Sequence, residues 1–108
     1  MNRTDALASL GALAHPIRLD AFRALVVAGP VGLTPGALTE MLGLPYAKLG
    51  FHLKDLTEAG LVKSEPSGRH VIYRAVYSRM DGLLAYLTQN CCAGAACMPA
   101  PRKAACGC

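Results

Sequence analysis

The stretch TPGALTEMLGLPYAKLGFHLKDLTEAG, residues 34–60, decides the architecture. Thr34-Pro35 is a helix start. The threonine hydroxyl can accept from free N–H groups, and a proline in the first turn lacks only an N–H that would have no partner there. Leu38, Met41 and Leu42 follow at helical spacing, and Gly43 ends the helix. Leu44-Pro45 cannot continue it, because the residue before a proline is pushed to extended backbone. A second helix is predicted over 45–59, stopping at Gly60. Leu49, Leu53 and Leu56 fall at i, i+4 and i+7 and make its buried stripe. At about 100° per residue, Ala47, Phe51, Lys54 and Glu58 point the other way, with Lys48 and Gly50 on the flanks. A phenylalanine opposite a core stripe needs a partner. Two short helices with a tight turn, the second showing small, basic and apolar groups near its N-terminal end, match the helix-turn-helix arrangement for the DNA major groove. For these residues alone, a helical hairpin with Phe51 covered by a neighbour is the alternative.

Upstream, residues 5–13 read as a short helix with Leu7, Leu10 and Leu13 at every third position. His15-Pro16 breaks it. Pro16 can open a further helix to about residue 28, with Ile17, Ala21, Ala24, Leu25 and Ala28 along one side, and Gly29-Pro30 ends it. Downstream of Gly60 the period changes from 3.6 to 2. Residues 61–65 form a first strand, residues 66–69 supply turn chemistry, and residues 70–76 form a second strand with Val71, Tyr73 and Ala75 on one face. A hairpin directly after the second helix of a helix-turn-helix is a wing, and its tip, with Arg69 and His70, suits a phosphate or minor-groove contact. A last helix is expected from Ser78, with Ser78 as cap and Asp81 three residues on. Tyr77, Met80, Leu83 or Leu84, and Leu87 share its stripe. This helix and the Leu7/Leu10/Leu13 helix are expected to form a dimer surface, because little core remains for either to cover. The fold class is therefore α+β: a winged helix-turn-helix, mainly helical, with a two-stranded β-wing. A dimer would set two recognition helices about 34–36 Å apart on successive major-groove faces, which predicts an inverted-repeat operator.

The chain has 108 residues, enough for one domain with a modest core. Hydrophobic residues make up 53%, high for this size, which suits a surface covered by a second copy. The net charge of +4 is unevenly placed. Residues 1–44 carry three Lys/Arg and three Asp/Glu, whereas residues 45–108 carry eight and four, so the excess lies with the second helix, the wing and the C-terminal residues. That placement suits a polyanion. No run of 18 apolar residues exists, which argues against a membrane helix. No apolar signal core comes after Met1-Asn2-Arg3-Thr4-Asp5, so a cytoplasmic protein with reduced thiols is expected. His15, His52 and His70 have no Cys or Ser/Asp partner in sequence, and no phosphate-cradling glycine loop appears. An enzyme and an organic cofactor are not expected.

All five cysteines fall after residue 90: Cys91, Cys92, Cys97, Cys106 and Cys108. Such clustering argues against scattered buried thiols and for a soft-ion site of thiolates. Cys91 and Cys92 are adjacent at a helix end, and Gly94 lets the chain bring Cys97 back to them. Cys92 to Cys97 is a C-x₄-C step, at the wide limit of the usual zinc spacing, and no histidine lies nearby. Three thiolates suit a trigonal thiophilic centre such as trivalent arsenic or antimony. Zinc and thiol redox chemistry are the other uses of such a cluster, and Cys106 and Cys108 add ligands or stay outside the site. Residues 1–92 are expected to form the DNA-binding and dimerisation domain, and residues 93–108 a flexible cysteine-rich tail.

Over about residues 5–90 the sequence resembles the ArsR family of bacterial winged-helix metalloregulators. Leu13-Ala14-His15-Pro16-Ile17-Arg18-Leu19 is similar to that family's opening A-x-P-x-R-L-x segment. The stretch LGFHLKDLTEAGLV, residues 49–62, resembles its recognition-helix pattern S-x-H-L-x-x-L-x-x-A-G-L-V, and Gly68-Arg69 with Tyr73-Arg74 is similar to its wing. The resemblance implies a homodimer that covers double-stranded operator DNA and leaves when an inducer binds. DNA contacts are then expected from Tyr46, Ala47, Lys48, Gly50, Phe51, His52 and Lys54 on the recognition helix and from Arg69 and His70 on the wing. This chain departs from the family in two respects. Gly50 stands where serine is frequent, at a cost of about 0.5–1 kcal/mol in a helix interior. The familiar cysteine pair in the first helix of the helix-turn-helix is absent, as are the Asp/His zinc ligands of the last helix apart from Asp81. Cys91, Cys92 and Cys97 look like a smaller arsenic-responsive group with a vicinal pair and a third cysteine after the last helix. A repressor of an arsenic-resistance operon is the function implied. A metalloid- or zinc-buffering thiol protein and a thiol redox-sensing repressor are the alternatives.

Overall fold

A computed structural model describes residues 1–91. Its helices are α1 (Arg3–Leu13), α2 (Pro16–Ala28), α3 (Pro35–Leu42), α4 (Tyr46–Glu58) and α5 (Tyr77–Leu87), with a 3₁₀ turn at Gly29–Val31. Strands β1 (Val62–Ser67) and β2 (His70–Ala75) pair antiparallel between α4 and α5. This is the expected winged helix-turn-helix.

The local signals around α3 and α4 act as their chemistry dictates. The Thr34 hydroxyl accepts from the Ala37 N–H at 3.1 Å. Gly43 closes α3 in the left-handed region, at φ 67° and ψ 36°, which places its N–H 2.8 Å from the Thr39 carbonyl oxygen. Pro45 is the N-cap of α4. Leu49, Leu53 and Leu56 are all buried, and together with Leu25, Leu38, Leu61 and Val62 they form the centre of the core.

Elsewhere tertiary packing overrides the local reading. α2 packs against α1, α3, α4 and β2, so its apolar arc is broad, and burial falls on Ala21, Phe22 and Leu25 while Ile17, Ala24 and Ala28 are half-buried. Met41, expected in the stripe of α3, is exposed. α1 starts at Arg3 because the Asn2 side chain accepts from the Asp5 N–H. It buries Ala6, Ser9 and Ala12, leaving Leu7 and Leu10 outside.

The wing is shifted by a residue or two. β1 runs from Val62, and Pro66 and Ser67 pair with Val71 and His70 rather than forming the turn. Gly68-Arg69 alone reverses the chain, and β1 is an edge strand, where a proline is tolerated. Leu33 adds a one-residue bridge to β2, exchanging two backbone hydrogen bonds with Tyr73. At the wing's base the Val76 N–H donates to the Leu61 carbonyl oxygen (2.8 Å), and the Tyr77 hydroxyl donates to the Val26 carbonyl oxygen (3.2 Å). Those two bonds fix where α5 begins. Its N-cap is Val76, with no side-chain cap, and Ser78 does not serve as one.

Candidate nucleic-acid interface

α4 separates its residues into two faces. The core stripe anchors it, and Tyr46, Ala47, Lys48, Gly50, Phe51 and Lys54 are all exposed. Phe51 is 73% and Tyr46 68% exposed, so no neighbour within the described residues covers either ring. Among the described residues, a helical hairpin with a covered Phe51 is therefore not what is built. A Cβ placed on Gly50 would meet nothing within 4 Å. No contact among the described residues requires that glycine, so its cost in helix stability is not offset by packing there. Arg69 and His70 are exposed together at the wing tip. No side chain caps the first turn of α4, which leaves its N–H groups and the positive end of the helix dipole beside Lys48.

His52 stands apart from this set. It is half-buried, with its ring centroid 4.5 Å from that of His15 and the two planes inclined by 40°. His15 is more than a residue before a helix-opening proline: its Nδ1 accepts the Ile17 N–H at 3.1 Å and caps α2. Beside the rings, Arg18 Nη1 donates to the Asp55 carboxylate at 2.8 Å. This cluster joins the first turn of α2 to the middle of α4, and so holds the recognition helix in place. In sequence, Arg18 shows as a polar residue off the apolar side of its helix, within the segment that resembles the ArsR opening. Its partner 37 residues on does not show at all.

Burial pushes the His52 pKa below its ordinary value of 6.5, and the positive charges of His15, Arg18 and Lys48 act the same way against the opposing pull of Asp55. His52 Nδ1 is buried without a protein partner. The folded chain thus resists protonation that the unfolded chain accepts. Its contribution to stability is complete above pH 6.5 and is lost as the pH falls through the depressed folded value. Thermal unfolding followed by circular dichroism is expected to show a midpoint that drops as the pH is taken below 6.5, with a shallower drop in His52→Gln. Equal drops in both proteins would place the acid sensitivity at other groups.

Cys91 lies just past α5 and is exposed. Cys92 and Cys97, expected to act with it, lie outside the described residues, as do Cys106 and Cys108. Among the described residues no three His, Cys, Asp or Glu side chains converge as a metal site. No described helix is long and apolar enough to cross a membrane.

Known proteins share both this fold and parts of this sequence. A helix-turn-helix domain family matches residues 13–65, from the last residue of α1 into β1. The HTH-type transcriptional regulator YgaV of Escherichia coli (strain K12) is 28% identical over 88 residues, which cover 82% of this chain and 87% of that protein. An ArsR-like transcriptional regulator from Rhodococcus sp. RHA1 superposes with a TM-score of 0.71 at 23% identity, over 80% of this chain and 78% of its own. A protein described as a possible transcriptional regulator for arsenical resistance superposes with a TM-score of 0.65 at 29% identity, over 73% and 79% of the two chains. The exposed face of α4 and the hairpin that follows it give the chain a winged helix-turn-helix architecture, and over residues 13–65 its sequence is similar to a helix-turn-helix domain family. Its sequence is similar to that of a transcriptional regulator of the helix-turn-helix type, and its fold is that of the ArsR-like regulators.

Proposed function

We propose that this regulator is a homodimeric repressor of an arsenic-resistance operon, released from an inverted-repeat operator when trivalent arsenic or antimony is held by the thiolates of Cys91, Cys92 and Cys97. The observation that carries the DNA part is the uncovered face of α4 opposite the Leu49/Leu53/Leu56 stripe. Lys48 donates to a guanine edge or a phosphate, and Phe51 meets a thymine methyl. Tyr46, Ala47, Gly50 and Lys54 complete the surface, Gly50 allowing close backbone approach. Arg69 and His70 hold the DNA backbone from the wing. His52 keeps α4 seated on α2 rather than reading bases.

The dimer is supported by the apolar groups that α1 and α5 leave outside. These two helices pack on each other, and Leu7 and Leu10 on the first and Leu84 and Leu87 on the second are exposed. A second copy removes that area from water at roughly 25 cal/mol per Å². The inducer rests on donor chemistry: three soft thiolates within seven residues directly after α5 suit a soft, three-coordinate ion. The protein described as a possible regulator for arsenical resistance, which shares this fold, supports the same choice. A coupling of about 1–3 kcal/mol between thiol ligation and operator affinity is enough for release.

Cys91→Ser tests the inducer. The variant is expected to bind operator DNA as the wild type does and to stay bound when arsenite is added, as read by fluorescence anisotropy. Release equal to that of the wild type would place the site among the other thiols.

A further inference from the structure

Arg74 lies on β2 next to Ala75, whose side chain is buried at the wing's base. Its Nε donates to the Pro30 carbonyl oxygen at 2.7 Å, and its Nη1 donates to the Glu65 carboxylate on β1. Next to it, Tyr73 and Leu33 exchange N–H···O bonds of 3.0 and 2.9 Å. Gly32 sits between these attachments at φ 71° and ψ −173°, backbone that only glycine adopts readily. A Cβ there would lie 2.6 Å from the Tyr73 carbonyl oxygen and from the Ile72 Cγ2. The segment 30–33, which leads from α2 into α3, is therefore laid against β2, and Arg74 ties it to both strands.

We propose that Arg74 is a positioning residue for DNA binding: it clamps the wing to the segment entering α3 and so fixes Arg69, the cation at the wing tip, relative to α4, without touching DNA itself. The proposal rests on the reading of α4 and the wing as the DNA-contacting surfaces. A two-stranded hairpin is marginal without outside support. From Tyr73 to Arg69 the strand spans about 13 Å at roughly 3.3 Å per residue, so a swing of about 10° at the root moves the tip by about 2 Å. That displacement breaks a hydrogen bond to phosphate. Arg74 is also a poor phosphate ligand where it stands, because the Glu65 carboxylate already offsets its charge. Lysine cannot replace it: a single ammonium on a flexible stem does not donate in the fixed directions of the guanidinium fork.

Anisotropy of the full chain on its own promoter DNA, titrated with salt and accompanied by circular dichroism, tests the clamp through two conservative variants. Glu65→Ala removes a negative charge from the wing, so charge alone predicts tighter binding, whereas the clamp predicts weaker binding by about tenfold. Arg74→Lys keeps the charge, yet is expected to weaken binding about as much as Arg69→Ala and to shrink the salt slope to the same extent. In an Arg69→Ala background, Arg74→Lys is expected to cost less than about twofold, because the contact that it positions is already gone. Wild-type or tighter binding by Glu65→Ala, wild-type binding by Arg74→Lys, or additive losses with Arg69→Ala overturn the clamp while leaving the DNA reading intact. Absence of salt-dependent binding in the wild type overturns both.

Discussion

Leu53→Ala is expected to destabilise the chain by about 2–5 kcal/mol. Leu53 is 2% exposed on α4, in the centre of the core that joins this helix to α2, α3 and the base of the wing. Removing its isobutyl group forfeits the transfer free energy of the lost methyl and methylene groups and leaves a cavity that Leu49 and Leu56, fixed one turn on either side, cannot fill. A domain of this size has about 5–15 kcal/mol in all, so the variant is expected to sit close to its unfolding threshold at physiological temperature. Urea unfolding checks this: the midpoint falls with the m-value unchanged. A loss below about 1 kcal/mol would mean that the site collapses around the deletion and that the core of α4 is far looser than its burial indicates.

Lys48→Ala is expected to lower operator affinity by about 1–3 kcal/mol per site while leaving stability unchanged. Lys48 is exposed, has no ion-pair partner among the described residues, and stands in the first turn of α4 with uncapped N–H groups beside it. A phosphate contact predicts a loss that is uniform across DNA sequences and a shallower salt dependence. A guanine contact predicts a loss confined to one base pair of the site. Unchanged affinity across a salt titration would put the recognition surface elsewhere on the molecule.

The difference between these two residues also shows what sequence conveys. Leu53 and its stripe, the Thr34 cap, the Gly43 stop and the exposed Phe51 are all legible, because each arises from the spacing of side chains along one helix or from a single backbone constraint. The exposed set proposed to face DNA is legible for the same reason: it is what remains of α4 once the stripe is assigned. Spacing puts His52 with that set, because it does not reveal the His15 ring, which meets His52 from another helix. The residues that orient the interface are hidden because their partners are distant in sequence. Arg18 meets Asp55 across 37 positions, and Arg74 meets Pro30 across 44. Ser78 fits a capping pattern, but the Val76 N–H and the Tyr77 hydroxyl are already committed to Leu61 and Val26, and the helix starts where they hold it. Pro66 and Ser67 are turn formers drawn into a strand because Gly68-Arg69 suffices for the reversal. Of the three thiols assigned to the inducer, only Cys91 lies among the described residues.

Fluorescence anisotropy of the reduced protein on its own promoter DNA, titrated with arsenite and separately with zinc, tests whether the thiolates of Cys91, Cys92 and Cys97 govern release from the operator. Tight, salt-dependent binding that low arsenite reverses and zinc does not is the expected result. Tight binding that neither ion disturbs would contradict the three-thiolate inducer site, and it would make release by peroxide the next experiment.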